Sequence, residues 1–312
     1  MTCCLVGGAG FIGRSLARQL ADSGRELVVL GRSPQPAVPL DPRVRYVPCD
    51  ARDGAALGLA LAGATEIVDL SYASAARATF SDPLAELLVN VPVSLAVMQA
   101  ALALGLRRYV YVSSGGTVYG EQPVQPITED AVPAPVSPYG ITKLTIERYA
   151  LLEHHHHRLP AVLLRPGNAY GPGQKPFTGQ GFIATAVGSV LARKPITVFG
   201  ARGTVRDYIH VDDVASAIVA ALDHGVPGSV YNVGTGVGLD NMDILDLIRH
   251  EAEPAGFPVR CEFAPARPAD VSANVLDASA LQRVSGWRPR IACADGVAGV
   301  WRSQRALLEA GA

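Results

Sequence analysis

The chain has 312 residues, room for about two average domains or one large α/β unit with a smaller lobe. Apolar residues make up 49% and charged ones 18%, which excludes a disordered chain and calls for a large core. Lysine and arginine number 27 against 28 acidic residues, so there is no basic field for a phosphate backbone and no nucleic-acid partner is expected. Gly, Pro or a charge breaks each apolar run before the roughly 20 residues of a membrane helix, so no membrane partner is expected either. The start, MTCCLVGGAGFIG, enters a glycine loop without a basic region or cleavage site, which argues against a signal peptide. Five cysteines (Cys3, Cys4, Cys49, Cys261, Cys293) are odd in number and lack CxxC spacing. They read as reduced thiols of a cytoplasmic protein, with neither disulfides nor a metal site.

In chain order, residues 3–6, 26–30, 44–47, 66–70, 108–114 and 161–165 are apolar, β-branched runs without alternation. That pattern predicts strands buried on both faces, as in a parallel sheet. Between them, 11–23, 53–62, 83–104 and 138–153 have helical character, and strands alternating with helices imply a doubly wound sheet. After Arg165 the texture changes to RPGNAYGPGQKPFTGQG (165–181), followed by a helix (182–193) and a short strand (196–199). Residues 211–222 and 230–234 return the chain to the sheet; a helix (240–252), a strand (259–263) and a terminal helix (294–309) complete it. The expected organisation is a dinucleotide-binding domain of 1–170 plus 205–238, interleaved with a substrate lobe of 171–204 plus 239–312. The run His154 to His157 reads as a solvated helix end in preference to a metal cluster.

Gly7-Gly8-Ala9-Gly10-Phe11-Ile12-Gly13 follows the first strand and opens a helix, as a Rossmann-type fold requires. Among these glycines, one allows the tight turn, one lets backbone approach a pyrophosphate, and one lets helix and strand touch. The helix N-terminus then faces the negative charge. A carboxylate is expected at the end of the second strand to bind the ribose diol of NAD. The sequence there is Leu30-Gly31-Arg32-Ser33, without one. Arg32 either pairs with the 2′-phosphate of NADP or is solvated beside a site that still takes NAD. Asp50, with Ala51 after it, is placed to meet the adenine amine or to cap the loop.

Ser137-Pro138-Tyr139-Gly140-Ile141-Thr142-Lys143 begins a helix, with Ser137 as cap and Pro138 in the first turn. Tyr139 and Lys143 are four apart and share a face. An ammonium beside a phenol favours the phenolate, which is the tuning a base needs to take a proton from a sugar hydroxyl while hydride leaves its carbon.

With these motifs, the chain resembles the extended short-chain dehydrogenase/reductases, and within them the nucleotide-sugar epimerases of the UDP-glucose 4-epimerase type. GGAGFIG, SSGGTVYG (113–120), SPYGITK, VRDYIHVDDVA (205–215) and YNVGTGVG (231–238) carry the resemblance along almost the whole length. It implies Tyr139 as base, Lys143 on the nicotinamide ribose and Asn90 in the cofactor pocket. It also implies Asn168 near the substrate diphosphate, Phe199 stacked on the nucleobase, Arg206 and Arg267 clamping the diphosphate, and Asp270 on the nucleotide ribose. Two guanidiniums suit a diphosphate, an aromatic face a pyrimidine, and a carboxylate a diol. The expected activity is a 4-epimerisation through a transient 4-keto sugar with bound NAD. An NADPH-dependent 4-ketoreductase is the alternative. The helices 83–104 and 138–153 resemble the pair through which the family forms dimers by a four-helix bundle, with Leu84, Leu87, Leu88, Val91, Leu95 and Met98 along the first.

The chain departs from that family at one position. Its usual catalytic Ser or Thr falls on Gly115, so Thr117 or Ser114 must supply the hydroxyl, unless a water does. Thr117 is the preferred substitute, because glycines at 115 and 116 leave it space and Ser114 at the strand end would point into the sheet. On the same reasoning Gly115→Ser should restore or spare activity if the pocket has room. The Thr-Asp-Glu of related dehydratases is absent from Gly115-Gly116-Thr117, which argues against dehydration. Gly115 is also the one support for a cofactor-bound protein without turnover.

Overall fold

The computed structural model describes residues 1–73, 82–267 and 270–310. The chain opens β1 (Thr2–Val6), α1 (Phe11–Asp22), β2 (Glu26–Gly31), β3 (Val44–Pro48), α2 (Gly54–Leu61) and β4 (Glu66–Asp69). It continues with α3 (Pro83–Leu102), β5 (Arg108–Val112), the single turn α4 (Gly115–Val118), α5 (Pro138–His157) and β6 (Ala161–Pro166). The second half runs β7 (Asn168–Tyr170), α6 (Phe182–Leu191), β8 (Ile196–Phe199), β9 (Val205–His210), α7 (Val211–His224) and β10 (Val230–Val233). It ends with β11 (Gly238–Leu239), α8 (Asn241–Ala252), β12 (Cys261–Ala264), β13 (Ala273–Asn274), α9 (Ser279–Ser285) and α10 (Cys293–Ala310).

Seven strands make a parallel sheet in the order β10-β6-β5-β4-β1-β2-β3. Alternate residues of each strand enter two different cores. Cys3, Leu5, Leu27, Val29, Val110 and Val112 pack beneath α1 and α7, while Cys4, Val6, Val28, Leu30, Tyr109 and Tyr111 pack beneath α2, α3 and α5. Both sets are apolar because both faces are covered, which is why the sequence lacks alternation. This is the Rossmann-type α/β fold expected. Its strand order reverses between β1 and β4, and such a switch point opens a crevice at the carboxyl ends of the strands.

A third core joins α6, α8 and α10 around Ile183, Val187, Ile244, Ile248, Val300 and Trp301. Two small sheets flank it: β11-β9-β13 with β7 on β9, and β12-β8. Residues 205–210, grouped by sequence with the large sheet, form β9 of the small one. Residues 211–224 return as helix α7 packed on α1, and 230–233 as the edge strand β10.

In α3 a charge, Glu86, and Pro92 interrupt the apolar run as expected, yet the helix as a whole is strongly apolar. It spans 20 residues at a hydropathy of 1.6, enough by length and composition to cross a membrane. Its Leu, Val and Ala residues outweigh Glu86, Asn90 and Pro92 in the mean. In the fold it packs against α5, with Glu86, Asn90 and Ser94 buried. The histidine run forms the last turn of α5, where His154 meets the Leu159 carbonyl and His157 the Glu153 carboxylate.

Candidate active site

A cavity of about 390 Å³ lies along the carboxyl ends of β1, β2 and β4. Gly7, Gly10, Phe11, Ile12, Gly13, Arg32, Asp50, Ala51 and Asn90 all line it, so the structure brings together every cofactor residue expected from the glycine loop and the strand ends. The glycines there divide into two kinds. Gly7 has φ +75°, and a Cβ would sit 2.9 Å from the Leu70 carbonyl oxygen; at Gly13 a Cβ would overlap the Gly8 backbone. At Gly10 the nearest atom to a Cβ is the Gly7 oxygen at 3.3 Å, and the remaining space is open. Gly10 is also the N-cap of α1, with no side-chain cap and no acidic residue in the first turn. A bare helix N-terminus beside open space fits a pyrophosphate, so these residues fit a dinucleotide.

At the adenosine end, the position that lacks a carboxylate is crowded by a tyrosine. A Cβ at Gly31 would lie 2.6 Å from the Tyr46 hydroxyl oxygen, which donates to the Ser33 carbonyl at 2.7 Å. Tyr46 thus fills the place where an acidic side chain would start. Arg32 stands exposed on the pocket wall. Bonds from Arg52, and secondarily the charge of Arg32, hold the Asp50 carboxyl down to about 2.

Tyr139 and Lys143 stand on the first turns of α5, which Ser137 caps by accepting the Gly140 N–H at 3.1 Å. Lys143 Nζ donates to the Val112 carbonyl at 2.9 Å. Burial pushes the ammonium down to about 8, against the charges of Asp69, Glu147 and Glu86. Burial also pushes the Tyr139 phenol up to about 12, while a hydrogen bond with the Ser114 side chain pulls it down. Ser114 therefore faces the phenol and does not point into the sheet; it is Ser113 whose hydroxyl turns inward, donating to Glu147 at 2.5 Å. Thr117 is spent locally, its hydroxyl aimed at the Ser114 carbonyl at 3.4 Å. The geometry favours Ser114 over the expected Thr117: at the first turn of α4 the threonine hydroxyl is turned back onto its own backbone. Gly115 has no room either. A Cβ there would lie 2.6 Å from Leu276 Cδ1 and 2.7 Å from the Arg165 carbonyl oxygen.

The substrate residues fall in the smaller lobe and at its border. Asn168 on β7 stands beside the α4 turn, its Oδ1 2.9 Å from where a Gly116 Cβ would be. Phe199 ends β8, and the Arg267 guanidinium stacks on its ring at 3.5 Å. Arg206 on β9 is half-buried and donates to the Val205 carbonyl at 2.8 Å; burial lowers its basicity, while Tyr208, Asp270 and Glu121 act to restore it. Asp270 is exposed, and its N–H donates to the Arg267 carbonyl at 3.1 Å. Of the APARPAD run, Pro268 and Ala269 lie outside the described residues.

Sequence reasoning missed several residues around the pair. Glu147, one turn after Lys143, is buried and ion-paired with buried Arg165 at 2.6 Å, which ties α5 to β6. Arg165 continues to the Tyr119 hydroxyl at 2.9 Å, and that hydroxyl donates to Asn232 at 2.7 Å. Tyr72 lines the cofactor cavity and packs edge-on against Tyr139, ring centroids 4.9 Å apart. Its position just past the carboxyl end of β4, at the switch point, was the available signal.

Comparison with known proteins adds to this geometry. A family model described as the NAD dependent epimerase/dehydratase family matches residues 3–234. A UDP-glucose 4-epimerase of Mycolicibacterium smegmatis is 32% identical over 305 residues, covering 96% of both chains. The structure of a UDP-glucose 4-epimerase from Thermotoga maritima with UDP-glucose superposes with a TM-score of 0.92 at 27% identity, covering 99% of this chain and 100% of that one. That of a Thermus thermophilus UDP-glucose 4-epimerase in complex with NAD gives 0.89 at 31% identity, covering 98% and 99%.

Proposed function

The chain belongs to the NAD dependent epimerase/dehydratase family, and from that premise we propose that it is a nucleotide-sugar 4-epimerase of the UDP-glucose/UDP-galactose type. The observation that carries the reading is the Ser114–Tyr139–Lys143 group, joined through Tyr72 to the wall of a cavity fitted to a dinucleotide. When bound, NAD supplies a reversible hydride acceptor, which lets C4 of a sugar pass through a ketone and return inverted. Tyr139 takes the O4 proton as the ketone forms and returns it afterwards. Lys143 lowers the cost of the phenolate by its charge, and Ser114 offers the phenol oxygen a hydrogen bond.

Asn168, Phe199, Arg206, Arg267 and Asp270 hold the nucleotide diphosphate in this reading. Their place in another part of the fold lets the hexose turn while the nucleotide stays anchored. Dehydration is disfavoured, since the turn beside Tyr139 carries Gly115-Gly116-Thr117 in place of an acid and a base.

The homodimer is also a proposal. Leu84 is 65% and Leu88 57% exposed on α3, and Ile141, Tyr149 and Leu152 are exposed on α5, which packs against it. Val91 and Met98 of the same stripe are buried in the chain's own core. The cytoplasm is the proposed setting, supported by five free cysteines.

The test is interconversion of UDP-glucose and UDP-galactose by the purified protein, with a panel of dTDP- and GDP-sugars beside them. Inactivity on all of them would sink the reading. A 4-ketoreductase remains the second reading, favoured by Arg32 and by the Tyr46 hydroxyl that occupies the acidic residue's place. Identifying the dinucleotide released on unfolding separates the two: NAD supports the epimerase, and empty protein that takes up NADPH supports the reductase.

A further inference from the structure

The Lys143 ammonium is buried with one hydrogen bond, to the Val112 carbonyl, and among the described residues it has no ion pair. What touches the cation instead is aromatic. Nζ stands 4.3 Å from the Tyr72 ring centroid, 5.1 Å from that of Tyr111 and 5.9 Å from that of Tyr139. The charges of three carboxylates also bear on it without forming an ion pair: Asp69 at the end of β4, Glu86 on α3 and Glu147 on α5. Each is engaged elsewhere. Asp69 accepts from Ser71 and Tyr109, Glu147 from Ser113 and Arg165, and Glu86 from the Tyr72 hydroxyl. The nearest of the three rings is thus anchored at its far end by a carboxylate, with its face on the ammonium and Tyr139 packed against it at an interplanar angle of 72°.

We infer that Tyr72 is a positioning residue for the acid–base pair: its ring face keeps Lys143 in the ammonium form, and its contact with Tyr139 holds the phenol beside that charge. A desolvated ammonium over an aromatic face is stabilised by the ring quadrupole, and the neutral amine is not. Loss of the ring therefore favours the amine, and an uncharged Lys143 no longer assists the Tyr139 phenolate. The inference rests on the proposed roles of Tyr139 and Lys143, so its test reads the lysine directly as well as turnover.

The chain has three lysines, and Lys175 and Lys194 are exposed. Isotope-labelled lysine in the full-length protein with its bound dinucleotide gives one Cε resonance for each. The Lys143 midpoint should fall by about one pH unit or more in Tyr72→Leu, and the alkaline limb of the kcat profile should move down with it. KM for the nucleotide sugar should hold. Tyr72→Phe, which keeps the ring, should keep the wild-type midpoint. Fluorinated phenylalanines at position 72 preserve shape while draining the ring face, so the midpoint should fall stepwise with fluorination even if Tyr72→Leu does not fold. A midpoint indifferent to fluorination overturns the inference, as does a Phe variant displaced as far as Leu. Wild-type protein that turns over no nucleotide sugar while the midpoint still follows the ring refutes the epimerase reading and supports the Tyr72–Lys143 coupling.

Discussion

The Arg267 guanidinium lies 3.5 Å from the centre of the Phe199 ring, so two residues assigned separate duties share one surface. In the proposed reading, a nucleobase reaching Phe199 takes the other face or displaces the arginine toward the diphosphate. Phe199→Leu should raise KM for the nucleotide sugar about tenfold, within the range of losing one base–aromatic stack. The value of kcat should stay nearly unchanged, because the anchor acts on ground and transition state alike. Steady-state kinetics check this; a loss confined to kcat would contradict it.

Tyr139→Phe should cut kcat at least about a hundredfold, the low end for losing a general base. Titration with UDP should find nucleotide binding nearly intact, since Phe199, Arg206 and Arg267 lie on β8, β9 and the segment after β12.

The hydroxyl beside Tyr139 is expected to be Ser114. Ser114→Ala should lower kcat about tenfold or more, and Thr117→Val should change it little, because among the described residues the Thr117 hydroxyl bonds its own turn. Single-turnover rates of the two variants decide between them. A large loss in Thr117→Val alone would reverse the assignment.

Gly115→Ser should damage the protein. A Cβ at 2.6 Å from Leu276 Cδ1 and 2.7 Å from a backbone oxygen forces a shift in a well-packed place, at a cost of about 1–3 kcal/mol. Thermal unfolding should give a lower Tm together with reduced activity; a more active variant would show that the turn gives way freely.

Arg32→Glu tests the adenosine end. If Arg32 receives a 2′-phosphate, the variant should weaken NADP far more than NAD, since it removes a charge-assisted pair and adds repulsion. Equal effects in calorimetric titrations of both dinucleotides would mean that Arg32 is merely solvated.

Leu88→Asp should shift the protein toward monomer in sedimentation, because that side chain is 57% exposed on the proposed dimer face. A wild-type protein that is monomeric at micromolar concentration would rule the dimer out.

The sheet, its crevice and the glycine loop were legible in the sequence because they rest on local chemistry and period. Short continuous apolar runs such as 27–30, bounded by charged and glycine residues, read as strands covered twice, and Gly7 through Gly13 follows the spacing of a phosphate-binding turn. Ser137, Pro138, Tyr139 and Lys143 were equally readable, since a cap and a four-residue spacing are properties of one helix. Tertiary structure alone shows how Ser114 and Thr117 differ around the turn, what crowds position 31, and what surrounds Lys143. Ser114 and Thr117 are three residues apart in one turn, and only the packing of α4 against α5 and β6 turns one toward the phenol and the other back on itself. Tyr46 reaches Gly31 across the β2–β3 pairing, and Tyr72 reaches Lys143 from a strand end some 70 residues earlier in the chain. Contacts between such distant residues leave no local period or propensity in the sequence; they exist once the strands are in register.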